Sequence, residues 1–353
     1  LSHQFDRLHS ILQRLESRME DAMDGDVPGV DTAEAEGWYA AFGAMVTRAE
    51  GNLALWSDYA NAPSMVEEAA QSDEASPTAR WVNMFPLGGQ TAYELRCSPV
   101  LASQILQQNL WNDAAAVVAT SATMTALNSF ERFILHSGVP RSAVFKMVPS
   151  PFAYDKALLN VPAMNCDPSD PQAHTEALVE LLPVWLDQNA GSLVLFSSRR
   201  QLMDVYEGLP NDWQTRTLLQ GDYSKAEILR RHRVAIDAGQ GSIIFGLASF
   251  AEGVDLPGKY CEHVVIAKIP FAVPDSPIES ALGEWVEDRG RNAFMEISVP
   301  DASLRLVQAS GRLLRTENDE GQVTIADRRL VTRRYGQALL DALPPFRRDI
   351  KRS

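Results

Sequence analysis

The chain has 353 residues, 45 % of them hydrophobic and 22 % charged, which gives room for two or three domains with a substantial core in each. A net charge of −14 speaks against a protein that coats nucleic acid indiscriminately, and no run approaches the roughly 18 to 20 apolar residues of a membrane span. Cys97, Cys166 and Cys261 are scattered and the six histidines dispersed, which argues against a disulfide framework, a zinc site or an iron–sulfur cluster made by these residues.

The charge is uneven along the chain. Residues 1–100 hold 6 Lys+Arg against 16 Asp+Glu, whereas 301–353 hold 11 against 7. A basic tail on an acidic body fits local anion contacts rather than a general polyanion surface. No basic-then-apolar leader opens the sequence, and its start at Leu1 without a methionine reads as a fragment or a processed chain.

In chain order, Phe5, Leu8, Leu12, Leu15 and Met19 recur at helical spacing, Asp24–Val30 is a break, and a second helical run follows over Ala33–Tyr59. Pro63–Pro77 reads as a polar loop. Inside it, Asp73-Glu-Ala-Ser76 is one letter from a D-E-A-H box, but the preceding Glu67-Glu-Ala-Ala-Gln-Ser72 cannot be the apolar strand that box requires, so the match is chance. Val117–Ala122 reads as a short strand. Thereafter strands (Ser192–Phe196, Thr215–Leu219, Ser242–Phe245, His263–Ala267, Gln322–Ala326) alternate with helices (Arg200–Glu207, Lys225–Ala238, Asp301–Thr316, Tyr335–Leu343). That alternation predicts a mostly parallel α/β sheet flanked by helices, with ligands at the C-terminal edge of its strands.

From Gly253 the sequence reads G-x-x-x-x-G-K, seven positions of a phosphate-cradling loop. Tyr260 stands where Ser or Thr should hold magnesium, Pro257 lies inside the loop, and a strand rather than a helix follows. Without a helix N-terminus to complete the anion cradle the match is a decoy. Gly246, Ser249, Glu252, Gly253 and Asp255 nevertheless cluster at a strand's C-terminal end, as a tight turn or a ligand-facing loop. In 301–316, a helix would put Gln308, Gly311, Arg312 and Arg315 on one face and Leu306, Val307, Leu313 and Leu314 on the other. Aligned guanidiniums beside a glycine suit a developing phosphate charge.

Ala119-Thr-Ser-Ala-Thr-Met124, Ser192–Ser198, Leu219-Gln-Gly-Asp222, Ser249–Gly258 and Gln308-Ala-Ser-Gly-Arg-Leu-Leu-Arg315 occur in order. Together they resemble motifs III to VI of the XPD-like, superfamily-two DNA helicases, most closely the bacterial DinG type, over roughly residues 85–345. The resemblance implies a RecA-like second motor domain over 151–353. It makes 86–150 the closing segment of the first motor domain and 1–85 a helical remnant of an arch-type insertion. It gives Gln308, Arg312 and Arg315 catalytic roles toward ATP, with Arg312 and Arg315 as arginine fingers. Glu252, Gly253, Asp255, Gly311, Thr120, Ser121 and Thr123 would contact nucleotide or couple its state to movement. Ser197, Ser198, Arg199, Gln220 and Ser249 would lie along single-stranded DNA.

Magnesium, the phosphate loop, the D-E-A-H box and a 4Fe–4S cluster belong, by this resemblance, upstream of residue 1, with no metal site in the chain itself. The implied whole is a monomeric, cytoplasmic 5′-to-3′ helicase of the bacterial nucleoid, acting in DNA repair or replication and without membrane attachment. The chain alone, without its first motor domain, is then expected not to hydrolyse ATP. A stand-alone nucleic-acid-binding or adaptor module derived from such a motor is the competing expectation.

Overall fold

The computed structural model describes residues 1–60, 77–247, 250, 252–272 and 275–351. Asp73–Ser76 and nearly all of the expected loop before Pro77 lie outside the described residues, as does Ser249. The chain divides into two compact units, Leu1–Leu101 with Pro274–Gly290 and Ala102–Val273 with Arg291–Ser353. The boundary expected at 85/86 falls inside a strand of the first unit, and that at 150/151 falls within the second.

In the first unit the two helical runs form α1 (Ser2–Met23) and α2 (Thr32–Ala60), packed as a helical hairpin. Gly25 and Gly29, both at φ +84°, supply the left-handed backbone of the reversal between them. Small residues fill the seam: Ala22, Ala35, Val46 and Ala49 are buried. Polar pairs lace its rim, Tyr39 donating to Glu20 at 2.8 Å and His9 lying 3.2 Å from Glu50.

The next element escaped the sequence reading. Thr78–Leu87 (β1) and Gln90–Pro99 (β2) form a long antiparallel hairpin around Gly88-Gly89, both with positive φ as a two-residue turn demands. Arg80 donates to Asp58 at 2.7 Å, and the Tyr59 hydroxyl to the Trp81 and Arg96 carbonyls, which ties the hairpin to α2. The helix Pro277–Glu287, capped by the Ser276 hydroxyl, packs against β1.

The second unit is built on seven parallel strands: β3 (Ala157–Val161), β4 (Gly191–Phe196), β5 (Thr217–Leu219), β6 (Ser242–Leu247), β7 (His263–Ile266), β8 (Gly321–Ile325) and β9 (Arg347–Ile350), ordered β5-β6-β4-β7-β8-β3-β9. Its main helices are α3 (Glu131–Ser137), α4 (Pro171–Trp185), α5 (Arg199–Gly208), α6 (Lys225–Asp237), α7 (Val299–Ser310) and α8 (Gly336–Ala342). Alternate strand residues serve opposite faces. Leu193 and Leu195 join Ile244, Val264 and Leu306 in one core, while Val194 and Phe196 join Phe245, Leu178 and Leu202 in the other. Both faces are covered, so the strands are apolar throughout. This is a RecA-like sheet flanked by helices, preceded by a helical N-terminal region.

Two expected elements need correction. Val117–Ala122 is not a strand: its backbone pairs with no neighbour among the described residues, and Val118 is 87 % exposed. A strand requires a partner for its N–H and C=O groups, and apolar composition does not provide one. The helix expected over 301–316 runs instead over Val299–Ser310. Arg315 and Thr316 direct their backbone N–H groups at the Asp319 carboxylate, 2.7 and 2.9 Å away, instead of at helical carbonyls. The chain turns there and carries Leu313 and Leu314 into the core. Among the described residues no helix is long and apolar enough to cross a membrane.

Candidate functional site

The segment after β6 reaches a sharp bend at Glu252–Asp255, where Gly253 has φ +69°. Val254 is buried, and its carbonyl oxygen accepts from Arg312 Nη1 at 3.1 Å and from Arg315 Nη2 at 2.8 Å. From α6, Arg233 donates to the Asp255 carbonyl at 2.7 Å and Lys225 to the Glu252 carbonyl. Arg315 Nε stands 4.0 Å from the Asp255 carboxylate. Four cations thus converge on one acidic bend. Burial, followed by the like charge of Arg315, holds the Arg312 guanidinium below its ordinary value. Arg312 remains protonated at neutral pH all the same, as guanidinium chemistry requires.

Arg312 and Arg315 therefore meet the 252–255 bend as expected, although they project from the loop after α7 and not from the helix itself. The Nε atom of each is buried and donates to no atom of the described residues. Such orphaned donors are costly unless an anion completes them.

Beside them opens a cleft of about 900 Å³. Its floor includes Gln308, Gly311, Arg312 and Arg315; one wall is Glu252 and Gly253, the other Thr120, Ser121 and Thr123. Gln308 donates to Thr123 Oγ1 at 3.3 Å, so α7 touches the hydroxyl-rich segment directly. All the residues assigned to nucleotide by sequence line this one cleft, apart from Asp255, which lies at the bend behind it.

Ser197, Ser198, Arg199 and Gln220, assigned to DNA, lie elsewhere on the C-terminal edge, after β4 and β5. Ser197 is exposed, and the Ser198 hydroxyl caps α5 by accepting from Gln201 N at 3.3 Å. Arg199 Nη1 donates to the Gln220 carbonyl at 3.1 Å, and the Gln220 side chain accepts from Leu247 N at 2.7 Å. Between them Gly221 has φ +110°, and a Cβ there would lie 2.6 Å from Arg199 Nη1. Glycine is what lets the guanidinium seat on the loop.

The G-x-x-x-x-G-K decoy is fully engaged in structural work. Gly258–Tyr260 is a single 3₁₀ turn, Lys259 pairs with Asp237 at 2.6 Å, and the Tyr260 hydroxyl donates to the same carboxylate at 3.0 Å. The Asp237 contact raises the Lys259 ammonium above its ordinary value. This lysine faces its own protein.

Lys225, Arg233 and Asp319 escaped the sequence reading. Lys225 and Arg233 sit on a helix whose polar face looks like ordinary solvated surface, and only the tertiary fold aims them at the bend. Among the described residues no three His, Cys, Asp or Glu side chains stand together as metal ligands, so they offer no ligand set for an iron–sulfur cluster.

Residues 182–346 match the family described as the helicase C-terminal domain. The chain is 42 % identical over 291 residues to the ATP-dependent DNA helicase DinG of Photobacterium profundum, covering 80 % of the chain and 42 % of that relative. It is 36 % identical over 284 residues to DinG of Salmonella choleraesuis, covering 78 % and 40 %. A solved structure described as an XPD helicase superposes with a TM-score of 0.54 at 20 % identity over 73 % of the chain and 46 % of that structure, a likeness of fold. The chain spans about two-fifths of the length of the curated relatives it matches. Over about four-fifths of its length the chain is similar to the DinG helicases, and its residues 182–346 match the helicase C-terminal domain.

Proposed function

We propose that this chain is the C-terminal portion of an ATP-dependent 5′-to-3′ DNA helicase. In this reading 151–353 is the second RecA-like motor domain, 86–150 closes the first, and 1–85 is the remnant of an arch-type insertion. The observation that carries the reading is the pair of guanidiniums at the cleft, bound to the Val254 carbonyl, each with a buried Nε that finds no hydrogen-bond acceptor among the described residues.

A triphosphate entering the cleft offers charged oxygens where the guanidiniums have one neutral carbonyl. Charge-assisted hydrogen bonds are about twice as strong as neutral ones, so the exchange is favourable. Arg312 and Arg315 would then stabilise charge developing on the transferred phosphoryl group, the main requirement of this chemistry. Gln308 would orient groups near the γ-phosphate, and its bond to Thr123 offers a link between nucleotide state and the Ala119–Met124 segment. Release of Val254 would free the bend, which continues from β6, the strand that also holds Gln220. Single-stranded DNA would lie along Ser197, Ser198, Arg199, Gln220 and Ser249. In this reading ATP is the substrate of the whole helicase, whose phosphate loop, magnesium ligands and 4Fe–4S cysteines would belong to its other part, so the isolated chain is expected not to turn over ATP.

Arg312→Ala in the full-length helicase is expected to lower DNA-stimulated ATP turnover by about a thousandfold or more, in the range of arginine-finger removal. Its affinity for single-stranded DNA should stay within about twofold. Unchanged turnover would sink the assignment. The adaptor reading gains instead if the full-length protein binds DNA but shows no DNA-stimulated turnover at all.

A further inference from the structure

Asp319 is an acidic residue in the turn Thr316-Glu-Asn-Asp-Glu320, a composition that predicts a solvated loop. Instead it is 6 % exposed and accepts four hydrogen bonds. Oδ2 takes the backbone N–H of Arg315 at 2.7 Å and of Thr316 at 2.9 Å. Oδ1 takes the Thr316 hydroxyl and, from a different segment, the backbone N–H of Gly258 at 3.2 Å. The hydrogen bonds from Thr316, Arg315 and Gly258 outweigh burial and hold the carboxyl below its ordinary range, so it is ionised at neutral pH.

This carboxylate joins two loops that meet nowhere else by backbone donors to a shared side chain. One carries Arg312 and Arg315; the other is the 252–258 segment whose Val254 carbonyl receives both guanidiniums. We propose that Asp319 is the positioning residue of the arginine pair: it fixes the backbone of Arg315 at a set distance from the bend, so that both guanidiniums reach the cleft together. The inference rests on the reading of Arg312 and Arg315 as phosphate-facing. Asp319 itself points away from the cleft and is not among its lining residues, so its effect passes through Arg315.

Asp319→Asn keeps the size of the side chain but replaces one acceptor oxygen with an N–H₂ group that faces backbone N–H donors whichever way it turns. In the full-length helicase with saturating single-stranded DNA, Asp319→Asn is expected to lower kcat for ATP about tenfold, the scale of a lost hydrogen bond to a charged group. KM for ATP and DNA affinity should each stay within about twofold. The deciding measurement is the double variant with Arg315→Ala. If Asp319 works through Arg315, the double variant loses no more than Arg315→Ala alone, because coupled residues are non-additive.

Full kcat in Asp319→Asn, or losses that multiply in the double variant, would overturn the proposal while leaving the arginine assignment intact. Full turnover in Arg315→Ala overturns that assignment, and this inference with it. Thr316→Val removes one of the four donors; it is expected to repeat the pattern with a smaller loss. The same cycle run on Thr316→Val decides the matter where Asp319→Asn does not fold.

Discussion

At Val254 one backbone oxygen takes hydrogen bonds from two guanidiniums, and that detail governs how single residues here should respond to change. Arg312→Lys keeps the charge but loses the planar fork of donors, so it is expected to behave nearly as badly as Arg312→Ala in ATP turnover. On the edge proposed to carry DNA, Gly221→Ala meets both a φ of +110° and the Arg199 guanidinium. It should destabilise the unit by about 1–3 kcal/mol in a denaturant titration, the usual scale of such backbone strain. It should also weaken single-stranded DNA binding several-fold by unseating Arg199. A variant with wild-type affinity would remove Arg199 from the DNA track. The residue types at the cleft were legible, because guanidiniums and small hydroxyl residues near strand ends carry their chemistry with them. Asp319 was not: one of its hydrogen bonds comes from the Gly258 N–H, 61 positions away, which no local pattern encodes.

Elements were read best where one strand or helix completes its own pattern. The alternation from Ser192 to Ala326 appears in the sheet with ends shifted by a residue or two, since burial on both faces leaves an apolar signature. Elements whose identity depends on a partner were read worst. Val117–Ala122 has a strand's composition but no neighbour to pair with among the described residues, while β1 and β2 have each other and were missed despite the Gly88-Gly89 turn. The helix expected through Thr316 stops at Ser310, and beyond it the backbone amides of Arg315 and Thr316 turn to the Asp319 carboxylate instead of continuing the helical ladder. Its remaining turns are anchored by Leu306, which is fully buried against the sheet. Leu306→Ala is therefore expected to lower the stability of this unit by about 2–5 kcal/mol, as large-to-small core changes do. Because Gln308 and Arg312 follow within two turns, turnover should fall as well. A loss under about 1 kcal/mol would mean that α7 is not seated as described.

For the molecule as a whole, three histidines are buried: His174, His232 and His263, each pushed down from its ordinary value chiefly by burial. His263 falls to about 4 from 6.5. Between those values the unfolded chain carries a proton at this residue that the folded chain refuses. Stability from this group is complete above pH 6.5 and declines as pH drops toward 4, by up to about 3 kcal/mol. Denaturant titrations at pH 7 and 4.5 should show that decline, and His263→Gln should make it shallower. An equal slope in both proteins would place the proton uptake elsewhere. With a net charge of −14, the isolated chain is expected to bind single-stranded DNA only weakly, and to lose that binding between about 50 and 200 mM salt.

The helix Pro277–Glu287 has one more bearing on how this protein can be handled. It rests on β1 of the first unit, yet the polypeptide enters and leaves it from the second. A protease nick or a gene truncation at 101 would therefore leave the N-terminal piece with a bare flank on its hairpin, and the C-terminal piece with an amphipathic rod that has lost its seat. The two halves obtained that way should each be sticky and short-lived in isolation, and should recover their solubility when produced together.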